Sequence, residues 1–130
     1  MKPITNRPHG YTLTLQGIAD LETVQELARQ LRDERAGETE PYILVVDACA
    51  LRFFAADAQA AFEELLEEAL EDGLTRITVL ARSTGLAGLF CDIMVRTEVM
   101  PIYQFLDLDY EDDAETEMEC WLYEPFETPV

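Results

Sequence analysis

Polar and apolar residues alternate with period two over Tyr11-Thr-Leu-Thr-Leu-Gln16. Successive side chains of a strand point to opposite faces, so this pattern predicts a half-buried strand. Gly17 is expected to end it. Asp20 then stands where a helix N-cap belongs, its carboxylate able to accept from the first free backbone N–H groups. Leu21, Val24, Leu27, Ala28 and Leu31 follow as one apolar stripe at helical spacing, opposite Glu22, Glu26, Arg29 and Arg32. Gly37 and Pro41 close the segment.

Tyr42-Ile-Leu-Val-Val-Asp47 is apolar without alternation, the pattern of a strand covered on both faces. A second helix is predicted over Asp57–Glu71, with Ala61, Phe62, Leu65, Leu66, Ala69 and Leu70 inward and Asp72-Gly73 as its stop. Thr75–Ala81 predicts another buried strand. Ser83 or Thr84 is expected to cap a short helix running through Leu86, Leu89, Phe90 and Ile93. Pro101–Leu106 predicts a further strand, and Asp112–Tyr123 a last helix that turns Met118, Trp121 and Leu122 inward. Strands alternating with helices of this length imply right-handed crossovers and a largely parallel sheet. The expected fold is therefore a single α/β domain with a mostly parallel sheet of four to five strands and about four helices. It is expected to span residues 11–123, after an N-terminal segment 1–10 and before a tail 124–130.

Charge changes the picture most. Nine Lys plus Arg against 27 Asp plus Glu leave a formal charge of −18. Such a surface repels phosphate backbones and anionic headgroups, so neither nucleic acid nor membrane is an expected partner. A basic protein partner suits it better. No Lys or Arg follows Arg96, and Asp107 to Glu119 is dense in carboxylates. That run reads as a solvated helix face or as a docking surface for a basic partner. No apolar run approaches the roughly 20 residues of a membrane-spanning helix, and residues 1–10 hold no apolar signal region, so a cytoplasmic location is expected.

Catalytic constellations are hard to assemble from these residues. Cys49, Cys91 and Cys120 form no Cys-x-x-Cys pair and read as small buried apolar residues, while the one histidine, His9, lies in a turn-like Pro-His-Gly. Zinc ligation and a Cys-His or Ser-His-Asp arrangement both lack their parts. Thr84-Gly-Leu-Ala-Gly88 precedes a helix and would offer N–H groups to an anion, but no lysine stands beside it. Neither enzymatic activity nor a cofactor is expected.

Two stretches resemble the STAS (SpoIIAA-like) family of anti-sigma-factor antagonists. Leu15-Gln-Gly-Ile-Ala-Asp-Leu-Glu-Thr-Val-Gln-Glu-Leu27 is similar to that family's strand, glycine and Asp-capped first helix. Ile43-Leu-Val-Val-Asp-Ala-Cys-Ala-Leu-Arg-Phe-Phe-Ala-Ala-Asp-Ala58 is similar to its central strand, following loop and second-helix start. The resemblance implies binding of a protein partner, such as a kinase-like regulator. It also implies a switch, in which the kinase phosphorylates a serine or threonine within Asp-Ser-Ser-Gly at the second-helix start. Here the matching positions read Ala55-Ala56-Asp57-Ala58, so the hydroxyl is missing and Asp57 occupies the phosphosite-equivalent position. Asp57 is read either as a helix N-cap or as a partial imitation of the phosphorylated residue.

Strand C-termini gather at one edge of a parallel sheet, which places the partner surface at Asp20, Arg52, Phe53, Phe54, Asp57, Ser83 and Thr84. Phe53 and Phe54 are expected in the loop between central strand and second helix, where one or both fold back into the core. The function expected is a non-enzymatic, regulatory protein-binding module without the phosphorylation switch. The alternatives are a small-ligand (lipid-like) binding protein, using the crevice between the first-helix loop and the second helix, and a structural homodimer.

Overall fold

A computed structural model describes residues 3–126. In chain order the elements are β1 (Ile4–Arg7), β2 (Gly10–Ala19), α1 (Leu21–Arg35), β3 (Tyr42–Phe54), α2 (Ala56–Glu71), β4 (Leu74–Ala81), α3 (Gly85–Arg96), β5 (Tyr103–Asp107) and α4 (Ala114–Leu122). The strands form one sheet in the order β1-β2-β3-β4-β5, with β1 antiparallel to β2 and every other pair parallel. The α/β class and the mostly parallel sheet are as the pattern predicts.

The unbroken apolar run of β3 follows from burial on two sides. Tyr42, Leu44 and Val46 join the cluster formed with Leu27, Phe62, Leu66, Phe90 and Ile93 of the first three helices. Ile43 and Val45 point the other way, onto Ala114, Met118 and Leu122 of α4. Three aromatic rings tie the end of β3 to α2 and α3. Phe54 lies 5.7 Å from Phe62 and 6.0 Å from Phe90, centroid to centroid, and Phe62 and Phe90 meet edge to face. At the opposite end of α1 the buried Arg35 guanidinium lies 4.0 Å above the Tyr42 ring, donates to Asp72 Oδ2 at 2.9 Å and donates to the Glu40 and Asp72 carbonyls. A buried charge is tolerated when it is paired and hydrogen-bonded, and this one clamps the ends of α1 and α2 to the loop before β3.

Several boundaries differ from the pattern. Gly17 does not end β2. It takes φ +60, which a glycine adopts without steric cost, and the ladder shifts register around it while the strand continues to Ala19. That continuation pairs Gln16, Gly17, Ile18 and Ala19 with Ala50, Leu51, Phe53 and Phe54, so β3 runs on to Phe54, and Phe53 and Phe54 belong to a strand, not a loop. Pro101 has no N–H to give a ladder and sits in a 3-10 turn, so β5 starts only at Tyr103. α4 begins at Ala114. Ile4–Arg7, for which the pattern predicted no element, pairs with β2 as a hairpin through Pro8 and His9, the latter at φ +60.

β2 lies tight against β3 at Gly10, beside the bond in which Ile43 N–H donates to the His9 carbonyl at 2.9 Å. A Cβ at position 10 would lie 2.0 Å from the Ile43 oxygen. Gly10→Ala is therefore expected to destabilise by about 3 kcal/mol, since backbone must move to admit the methyl. Gly88→Ala, in α3 with open space around it, is expected to stabilise by about 0.5–1 kcal/mol. Urea unfolding midpoints of the two variants, moving in opposite directions, check this.

Candidate partner-binding site

β3 pairs with β4 only as far as Asp47 opposite Leu80, yet it pairs with β2 as far as Phe54 opposite Ala19. Beyond Asp47 the two strands continue as a two-stranded ribbon, roughly 20 Å long at about 3.3 Å per residue. Its hydrogen-bond register shifts twice, between Thr14 and Gln16 and between Gly17 and Ile18. Bulges of this kind bend a strand and re-aim its side chains. At the tip Ile18 stands opposite Phe53, and both are bare, at 69% and 58% exposure. Their neighbours Ala19 and Phe54 face inward and are buried.

The start of α2 is fastened to this tip. Ala55 N–H donates to the Ala19 carbonyl at 3.0 Å, and the Gln59 side-chain amide donates to the Phe54 carbonyl at 2.8 Å. These bonds set the first helical residue at Ala56, with Ala55 as an N-cap that has no side-chain acceptor. Asp57 is thus not the N-cap. It lies exposed in the first turn, where its charge still favours the positive end of the helix dipole.

Asp20 is the cap it was expected to be. Its Oδ1 accepts from Thr23 N at 2.9 Å and from the Thr23 hydroxyl at 2.6 Å. The hydroxyl bond, followed by the backbone bond, holds the carboxyl below its ordinary pKa.

Of the residues read as a partner surface, the ribbon and the adjoining helix starts gather Asp20, Arg52, Phe53 and Asp57. Arg52 is exposed and makes no ion pair among the described residues. Phe54 is withdrawn from that surface, at 4% exposure in the aromatic cluster, because strand alternation turns it away from Phe53. Ser83 and Thr84 follow the end of β4, whose pairing with β3 stops at Leu80 opposite Asp47. There Ser83 Oγ accepts from Gly85 N–H at 3.2 Å, and Thr84 precedes α3 without a side-chain cap.

Ile18 is the member that sequence reasoning missed. The signal was present: Thr12, Thr14, Gln16 and Ile18 fall on one face in period two, and an isoleucine closing a polar series is out of place.

The sheet's other polar groups have their own surroundings. Burial, then the hydrogen bond and charge of Asp47, push the Cys49 thiol up to about 11, which keeps it protonated at neutral pH. Burial also raises the Tyr103 phenol. His9 stacks on Phe126 at 4.2 Å. No group of three His, Cys, Asp or Glu side chains among the described residues is placed to hold a metal ion, and none of the described helices is long and apolar enough to cross a membrane.

A cleft of about 300 Å³ opens between α1 and α2, over Leu31, Tyr42 and Leu65. Four of its charged side chains are paired, Arg32 with Glu68 at 2.8 Å and Arg35 with Asp72 at 2.9 Å, and Glu71 adds a further carboxylate to the wall.

No protein-family model matches the chain, and no curated protein matches it. The ribbon tip thus stands on its own geometry.

The Asp20 cap has a defined pH signature. A carboxyl whose folded pKa is lowered adds stability above its unfolded pKa and loses that contribution as pH falls through the folded value. Asp20→Ala is expected to lower the unfolding midpoint at pH 7, and the difference from wild type should shrink towards pH 3. Asp20→Asn, which keeps an acceptor oxygen, is expected to fall between the two at pH 7. Urea titrations at both pH values check this.

Proposed function

We propose that this chain is a non-enzymatic regulatory module that binds a protein partner through the tip of the β2–β3 ribbon. In this reading it is an antagonist-like STAS protein that works without a phosphorylation switch. The observation that carries the proposal is the bare Ile18–Phe53 pair. An exposed aliphatic and aromatic side chain, adjacent on a hydrogen-bonded ribbon, supply an anchor whose ordering cost has already been met in folding. The ribbon is fixed from behind by Phe54 in the aromatic cluster and by the Ala55–Ala19 hydrogen bond. Strands in chain order and an Asp-capped first helix support the STAS-like reading.

The surroundings favour a cationic partner. Asp20, Glu22 and Asp57 are exposed near the tip, against Arg52 alone. Two copies meeting there would bring together chains of formal charge −18 each, so a partner with a basic rim, such as a kinase-like regulator, fits better than a second copy. Asp57 supplies a permanent single charge where the resembling family carries a phosphate of about −1.5 to −2. The surface is then held in one binding mode.

A photo-crosslinking residue at position 53, with one at Gln25 on the exposed side of α1 as control, tests the site in native cytosol. One protein adduct from position 53, absent from position 25 and lost with Ile18→Glu, is the expected result. Equal adducts from both positions, or none, overturn it, and an adduct with a second copy replaces it with the homodimer. Once the partner is in hand, Phe53→Ala is expected to weaken binding by at least about tenfold. Asp57→Ser should weaken it as well, and unchanged affinity would remove the role given to the carboxylate.

A further inference from the structure

We propose that α4 is a latched strap that opens as a unit while the rest of the domain stays folded, and that Arg76 of β4 is its latch. Three observations meet here. The first is its position. α1, α2 and α3 share one extensive core, whereas α4, alone among the described α-helices, packs on the opposite face, where Ile43, Val45 and Leu106 meet Ala114, Met118 and Leu122 in a smaller cluster rimmed by partly buried side chains such as Trp121 and Tyr123. Residues 109–113, which join it to β5, are exposed throughout.

The second is the weakness of the helix itself. It is nine residues long, shorter than the roughly 12–15 at which an isolated helix becomes even marginal in water. It carries Glu115, Glu117 and Glu119, the first and last being a like-charge pair one turn apart, and no basic residue in its last turn. Its N-cap, Asp113, makes no side-chain capping bond.

The third is the source of the missing cation. Arg76 Nη1 donates to the Trp121 carbonyl, one of the free acceptors at the helix C-terminus, and reaches Glu124 Oε2 at 3.4 Å. The same guanidinium lies 4.8 Å from the centroid of the Trp121 ring. Strand β4 thus supplies the positive charge that the carbonyl end of α4 favours and does not carry itself. The supporting contacts run in the same sense. Arg7 donates to the Tyr123 hydroxyl at 3.1 Å and faces Glu119 at 3.9 Å, and Arg82 holds Asp109 at 3.3 Å. The sheet side provides the cations and the strap provides carboxylates, a carbonyl and rings. Local units of low stability open ahead of global unfolding when few buried contacts hold them, and this unit has few. Opening uncovers Ile43, Val45 and Leu106, all now buried.

Trp121 is the only tryptophan of the chain, so the strap carries its own reporter. Amide hydrogen exchange of the full chain is expected to show residues 114–122 exchanging together, at least about tenfold faster than β3 and β4. Arg76→Ala should raise strap exchange by about another tenfold, with red-shifted and more readily quenched Trp121 emission, and change β3 and β4 exchange by less than about twofold. Met118→Ala removes an apolar anchor from the strap side without touching a strand, and should act in the same direction. Strap amides that exchange in step with the central strands overturn the proposal, as does a variant pair that raises exchange uniformly. If Arg76→Ala does not fold, Met118→Ala decides between the two outcomes.

Discussion

Because a parallel crossover is right-handed and β2, β3, β4 and β5 lie across the sheet in chain order, α1, α2 and α3 are all delivered to the same face. The rest of the architecture depends on that handedness. One face receives three helices of 12 to 16 residues and the main hydrophobic core, while the other is left to the chain beyond β5. That remaining chain supplies a short, acidic helix, which covers part of the face. The uncovered part is where β2 and β3 outrun their neighbours, and there the protein exposes apolar side chains.

The ribbon tip and the face beneath α4 are thus consequences of a single asymmetry. At the tip the asymmetry is permanent: none of the described helices covers Ile18 and Phe53, and the hydrogen bonds behind them hold the backbone still. Over Ile43 and Val45 it is conditional, since the covering element leans on arginines that belong to the strands. The −18 charge acts on both places, discouraging contact between copies and giving basic groups on the sheet an outsized structural role.

How much of this the sequence disclosed depended on whether a feature was local. The Asp20 cap, the stripe of α1 and the Asp72-Gly73 stop are decided within a turn or two of chain, and each was legible. The extent of β3 was not, because Cys49 to Arg52 has no clean period and its strand character comes from β2 continuing beside it. Gly17 misled for a related reason: a glycine at positive φ ends a strand or bulges it, depending on whether a neighbour goes on pairing. For the same reason Phe53 and Phe54 read as loop and Ile18 goes unmarked, because a glycine at position 17 looks like the end of the alternating run. Residue type alone suggests Asp57 as a cap, whereas the helix start is set by the Ala19 and Phe54 carbonyls, which lie on two different strands.

The hairpin at the N-terminus has a consequence for life at high concentration. Its strand is four residues long, Ile4–Arg7, and is bracketed by Pro3 and Pro8, neither of which has an N–H to offer. In an antiparallel pair only alternate residues turn their backbone groups outward, so an incoming chain would find about two positions to bond, too few to hold an added strand. The sheet stops there. A protein that displays a bare isoleucine and phenylalanine at one end is thus denied, along this border, the template on which its copies could stack into fibrils.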